Sequence, residues 1–191
     1  MKFLDALLGR TKPKPANLDA LFAVTGAAVT LQAAIGLRPA GQAAVCFKPA
    51  SGQGFAATSQ ELTELLELNV REAGSTLRVT DDRYGYRWAA LGDPELEDLV
   101  TSVHMVNSTL EEHGFGSQLL CSVFAFKSDT QACHLVYLYK RGTFYPFAPL
   151  DGERRDNELE LRVRGALTGE LPVEPDLARW FALWGIRELG V

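Results

Sequence analysis

The sequence predicts an α+β fold, a single domain in which helices cover an antiparallel β-sheet, and three observations carry that expectation. Residues 119–126 and 133–139 are apolar on both strand faces and are joined by a polar turn at 127–130, the pattern of two central antiparallel strands. Leu96, Leu99, Val100, Val103, Val106 and Leu110 make one stripe at helical spacing, and such a stripe needs a sheet to pack on. Hairpin-like and helix-like segments also follow one another in an order that does not suit a doubly wound parallel sheet.

The elements can be read in chain order. Residues 1–15 form an amphipathic, basic N-terminal segment, in which Phe3, Leu4, Leu7 and Leu8 share one face of a short helix that Pro13 and Pro15 bring to an end. Residues 16–191 form the domain. A short helix is expected over 18–22, then strands over 27–34 and 43–48, separated by a connection containing Gly36, Pro39 and Gly41. Thr58 and Glu61 make a capping box for a helix carrying Leu62, Leu65, Leu66, Asn69 and Val70, which Gly74 stops. Residues 76–80 and 84–90 flank Asp81, Asp82 and Arg83 as a hairpin whose aromatic face is Tyr84, Tyr86 and Trp88.

Asp93 and Pro94 open the long striped helix, which runs toward Gly114. A third strand follows over 143–147, confined to an edge by Pro146. Residues 157–167 fit either a strand or a helix, and Asp156 as a cap favours the helix. Pro175 is expected to start a final helix, with Leu177, Trp180, Phe181 and Trp184 at i, i+3, i+4 and i+7 docking on the body.

Composition narrows the function. A chain of 191 residues with 47% hydrophobic and 23% charged residues is globular and long enough to bury a core. A formal net charge of -5 argues against nucleic acid as a partner, because phosphate neutralisation needs a surplus of Lys and Arg. The three cysteines, Cys46, Cys121 and Cys133, lack CxxC spacing and sit in apolar strand-like runs, as reduced core thiols in a cytoplasm do. The apolar stretch 21–37 is broken by Thr25, Gly26, Thr30 and Gln32, so no transmembrane helix is expected there.

No catalytic constellation, metal site or cofactor motif emerges, and the chain is expected to be non-enzymatic. His104, His113 and His134 have no partner at ligand spacing except Cys133, whose side chain points to the opposite strand face from its neighbour His134. Gly114 and Gly116 follow a helix and precede a strand, the reverse of a phosphate-cradling order. Asp81 and Asp82 sit in a turn, where acidic residues are favoured on conformational grounds. Asn107, Ser108 and Thr109 are weak helix formers inside a strong helix, and a structural hydrogen bond from Asn107 to a neighbouring loop is the preferred account over a ligand contact.

Two segments stand out as surfaces. In the first, Lys140, Arg141, Arg154 and Arg155 bracket an aromatic stretch containing Tyr145, a composition that suits a partner protein or an anion. The competing account pairs Arg154 and Arg155 with Glu153, Asp156 or Glu158 as surface ion pairs. In the second, Phe3, Leu4, Leu7 and Leu8 with Arg10, Lys12 and Lys14 have the composition of a helix that lies weakly on an anionic membrane, against the alternative that the same side chains cover the core.

The runs VNSTLEEHGFG (106–116), LVYLYKRGTFYPFAPLDGERRDN (135–157) and LPVEPDLARWF (171–181), with LDALLGRTKPKP (4–15) at the front, resemble the PspA-associated protein family PspAB. The resemblance implies a bacterial envelope-stress setting beside the membrane-remodelling phage shock protein A and the membrane protease HtpX. It implies a PspA-like or other envelope-stress partner but no chemistry, and it carries no catalytic residues to transfer. The layout of a long Asn-containing helix before an antiparallel hairpin is also similar to the YbjN and secretion-chaperone-like fold. The expectation is thus a cytoplasmic adaptor or regulator that binds another protein, with weak peripheral contact at the inner membrane face left open as one of the two readings of the N-terminal segment. The alternative is a small-molecule or anion sensor using residues 140–157.

Overall fold

A computed structural model describes residues 17–49, 63–68, 70–71, 74–186 and 190–191. It contains a six-stranded antiparallel sheet in the order β2-β3-β1-β4-β5-β6, built from β1 (Arg38–Phe47), β2 (Thr76–Asp81), β3 (Arg87–Gly92), β4 (Leu119–Lys127), β5 (Ala132–Leu138) and β6 (Thr143–Phe147). A two-stranded ribbon, β7 (Pro149–Leu150) with β8 (Arg154–Arg155), follows. The helices are α1 (Ala23–Ile35), α2 (described at residues 63–68 and 70–71), α3 (Leu96–Glu112) and α4 (Asn157–Leu167). This is the α+β arrangement that the sequence pattern predicts.

One face of the sheet carries the helices. The stripe of α3 (Leu99, Val100, Val103, Val106, Leu110) packs over β1 and β3, and α1 lies against α3 and α4. Ser122 on β4 receives a hydrogen bond from the Asn107 amide at 3.2 Å and contacts the Tyr139 hydroxyl, so Asn107 marks a buried polar tie between helix and sheet. The structural account of Asn107 fits, with its partner on a strand rather than in a loop. A second tie joins Ser75 to Asp93 at 2.6 Å and to Ser102 at 2.8 Å, while Asp93 also accepts from the Glu95 amide that precedes α3.

Three expected elements differ. Residues 27–34 are helical rather than extended, because Val24, Ala27, Ala28 and Leu31 recur at helical spacing and are all buried. Gly36 then ends α1 in the left-handed conformation at φ 80°, donating its N–H to Gln32. With the preceding 3-10 turn (Leu18–Phe22), α1 is long and apolar enough by composition to cross a membrane, and its Leu21, Val24 and Leu31 are packed into the core. The expected connection at Pro39 and Gly41 lies inside β1, at a bulge where β1 shifts register against β4. Gly41 is required there: its φ is 75°, and a Cβ would stand 3.0 Å from the Asp93 carbonyl.

The third difference is the C-terminus. Instead of a helix from Pro175 to Gly185, a 3-10 turn (Leu177–Arg179) leads into a segment that is irregular over residues 180–185. Asp176 caps that turn by accepting from the Ala178 amide at 3.0 Å. The segment does dock, through Trp180 and Ile186, whereas Phe181 is 58% exposed. Residues 157–167 are helical and Asp156 caps them, its carboxylate accepting from the Leu159 amide at 3.0 Å. The membrane-contact candidates Phe3, Leu4, Leu7, Leu8, Arg10, Lys12 and Lys14 and the Thr58–Glu61 capping box lie outside the described residues.

Candidate functional site

Antiparallel strands alternate their side chains between faces, so the sheet has a second surface away from the helices. It is made of Ala44 and Cys46 on β1, Trp88 and Ala90 on β3, Cys121, Val123 and Ala125 on β4, Val136 on β5, and Tyr145 and Phe147 on β6. Small residues dominate its centre. The C-terminal segment crosses part of this face and leaves beside it a cavity of about 750 Å³.

The cavity has a floor, two walls and a rim. Cys46, Trp88, Leu120, Cys121, Leu138 and Tyr145 supply the floor. One wall is the loop between β2 and β3, which Asp82 organises: one carboxylate oxygen accepts from the Tyr84 and Tyr86 amides at 2.8 and 2.9 Å, and the other from the Trp88 indole N–H at 2.8 Å. That geometry turns the loop on Asp82 and presents the two half-open tyrosine rings to the cavity.

The opposite wall is the C-terminal segment, with Phe181, Leu183 and Trp184. It is pinned by Trp180, whose indole stacks on Tyr145 with ring centroids 6.2 Å apart and donates to the Glu174 carbonyl at 3.0 Å. The Tyr145 hydroxyl donates to the Phe181 carbonyl at 2.9 Å, and Trp184 meets Phe147 edge-on. Burial holds the Tyr145 phenol well above its ordinary pKa, so it stays a neutral donor.

Three cations stand at the rim: Lys140, Arg141 and Arg179. Arg141 is anchored through Nε to the fully buried Glu174 at 2.5 Å, and Glu174 also accepts from the Thr143 hydroxyl at 2.8 Å and the Asp176 amide at 3.2 Å. Burial pushes the Glu174 carboxyl up, but these donors, Arg141 first among them, outweigh it and hold the group below the ordinary glutamate value. Arg179 is tied to Asp176 at 2.9 Å, and Lys140 is exposed.

The sequence-derived binding residues therefore separate. Lys140, Arg141 and Tyr145 come together at the cavity, whereas Arg154 and Arg155 lie away from it. Arg154 donates to the Asp151 carbonyl. Arg155 is an internal strut: it pairs with Glu160 at 2.9 Å, lies over the Phe147 ring at 5.2 Å and donates to the Trp180 carbonyl. Its acidic partner is thus Glu160 rather than Glu153, Asp156 or Glu158, and Glu153 instead pairs with Arg83. His104 faces Phe22 and Asp19, His113 bonds the Thr109 carbonyl, and His134 sits by Phe147, so the histidines do not converge. Among the described residues no group of three or more His, Cys, Asp or Glu side chains could hold a metal ion.

Sequence reasoning missed Cys46, Cys121, Arg179, Phe181 and Trp184 as cavity residues. The alternation of Tyr84, Tyr86 and Trp88 was the available signal, and it marks the cavity wall.

Fold and site define a class: an α+β protein whose sheet is backed by helices on one face and holds an aromatic, cation-rimmed cavity on the other. Within that class the chain belongs to the PspA-associated protein B (PspAB) family, whose model matches residues 1–187. No curated protein and no solved structure matches the chain.

Proposed function

We propose that this chain is a non-enzymatic sensor and adaptor of a PspA-type membrane-stress system, and that its ligand is an amphiphile with an apolar body and an anionic head. One observation carries the reading: an aromatic and aliphatic cavity of about 750 Å³ with Lys140, Arg141 and Arg179 at its rim. That size suits a small amphiphile, apolar walls supply the affinity, and a few rim charges fix its orientation. The association with PspA in the family's name supports a PspA-related role, and we set that role at the cytoplasmic face of a membrane.

All three tryptophans of the chain report on the site, since Trp88 and Trp184 line the cavity and Trp180 braces its wall. Titration with palmitate and with lysophosphatidate, below their micelle-forming concentrations, is expected to change tryptophan fluorescence saturably. A flat signal, or one that rises without saturation, would overturn the ligand reading.

An unpaired sheet edge also favours direct binding of a PspA-like protein. Strand β2 is a sheet edge, with β3 on one side and no strand on the other among the described residues. Co-purification from the native cell is expected to recover a PspA-like partner, and failure to do so under crosslinking would remove the adaptor role.

A further inference from the structure

Cys46 and Cys121 are far apart in sequence, yet β1 and β4 place them directly opposite one another. Both side chains belong to the face away from the helices, and both line the cavity floor. Opposed residues in an antiparallel pair have Cα atoms about 4.5–5.5 Å apart, and a disulfide accepts about 4.4–6.8 Å, so bridging them needs no strand movement. Both are free thiols. Cys133 provides an internal contrast: it is buried among the helix-side core residues and takes no part in the cavity.

We propose that Cys46 and Cys121 are a redox site, closing into a reversible disulfide across β1 and β4 when an organic hydroperoxide enters the cavity. The apolar walls that suit an amphiphile also suit an apolar peroxide, and the floor is where its O–O bond would meet sulfur.

Both sulfurs border the cavity, and they are given different parts. Hydrogen bonding with Cys121, burial and the nearby Asp82 charge all push the Cys46 thiol up, so Cys46 keeps its proton. The attack is assigned to Cys121, which lines the cavity floor on the central strand β4. Its sulfur bonds to the terminal peroxide oxygen, the O–O bond breaks, and the alkoxide leaves as an alcohol with the Cys121 proton, giving a sulfenic acid. The Cys46 sulfur next attacks the Cys121 sulfur, the S–O bond breaks, and hydroxide leaves as water with the Cys46 proton. Two thiols lose two electrons, and the hydroperoxide becomes one alcohol and one water.

The full-length protein would be treated under native conditions with cumene hydroperoxide, alkylated and mapped by mass spectrometry without reduction. The expected result is a Cys46–Cys121 crosslinked peptide, unmodified folding by circular dichroism, an alkylatable Cys133 after unfolding, and reversal by dithiothreitol. Cys46→Ser should trap a sulfenic acid at Cys121 that dimedone labels, whereas Cys121→Ser should yield neither disulfide nor label at Cys46. Recovery of both thiols unoxidised from folded wild-type protein, or a crosslink that forms only after unfolding, would overturn the proposal. Because the readout is covalent and needs no bound amphiphile, it stands apart from the ligand reading.

Discussion

The helix-backed face of the sheet carries Val45, Phe47, Phe124, Phe126, Leu135 and Tyr137 with the smaller Ala43 and Ala89, while the other face carries Ala44, Cys46, Ala90, Cys121 and Ala125 with the larger Trp88, Tyr145 and Phe147. Large side chains under α3 fill the space between layers, as a close-packed interior requires. On the opposite face small side chains stand among Trp88, Tyr145 and Phe147, and the irregular C-terminal segment covers that face only in part. The cavity lies beside that partial cover, over Cys46, Trp88, Cys121 and Tyr145, so the regular layer supplies stability while the irregular one supplies the site.

The sharpest way to break this contrast is to truncate one residue on each face. Phe124→Ala, fully buried beneath the helices, should destabilise the protein by about 4 kcal/mol in a denaturant titration. Cys121→Ala, which removes one atom bordering an existing cavity, should lose about 1 kcal/mol. Equal losses would mean that the two faces are packed alike.

Trp180→Ala probes how firmly the irregular segment is attached. It deletes the stacking on Tyr145 and the bond to the Glu174 carbonyl and should lower stability by about 3 kcal/mol. An unchanged unfolding midpoint would show that the segment does not belong to the body of the fold.

What the sequence made legible divides along the same line. The stripe of α3 and the doubly apolar β4 and β5 are local patterns, and local patterns specified them. At the C-terminus, Leu177, Trp180, Phe181 and Trp184 imitate a helical stripe, yet Trp180 and Trp184 meet Tyr145 and Phe147, and tertiary hydrogen bonds replace the helical ones. For residues 27–34 the helical period was present in Val24, Ala27, Ala28 and Leu31, but β-branched Val29 and Thr30 read as extended. The cavity depends on register between residues as distant as Cys46 and Cys121, which no local pattern encodes.

Glu174→Gln tests the joint between rim and wall. The charged carboxylate accepts from Arg141, Thr143 and the Asp176 amide, and weakening these bonds should lower stability by about 2 kcal/mol at neutral pH. Its folded pKa lies below the unfolded one, so the contribution is fully present above about pH 4.3, the ordinary glutamate value, and is lost as pH falls through the folded value. The difference between wild type and variant should therefore shrink on acidification, and a difference that grows would contradict the assigned direction.

The smallest expected effect on stability comes from Lys140→Ala. Lys140 is exposed at the cavity rim and its side chain makes no ion pair with the described residues, so the unfolding free energy should stay within about 0.5 kcal/mol of wild type. The effect belongs to binding. Losing one rim charge should weaken palmitate or lysophosphatidate by about fivefold, roughly 1 kcal/mol, because an exposed charge pair contributes little more than that. Arg141 and Arg179 keep part of the rim's charge, so binding should be reduced rather than abolished. Added salt should narrow the gap between variant and wild type, since screening weakens the charge contact and leaves apolar burial in place. An uncharged analogue of the same chain length should bind both proteins alike. Should Lys140→Ala weaken the uncharged analogue equally, the rim would be acting through the shape of the cavity and not through charge, and the preference for an anionic head would fall.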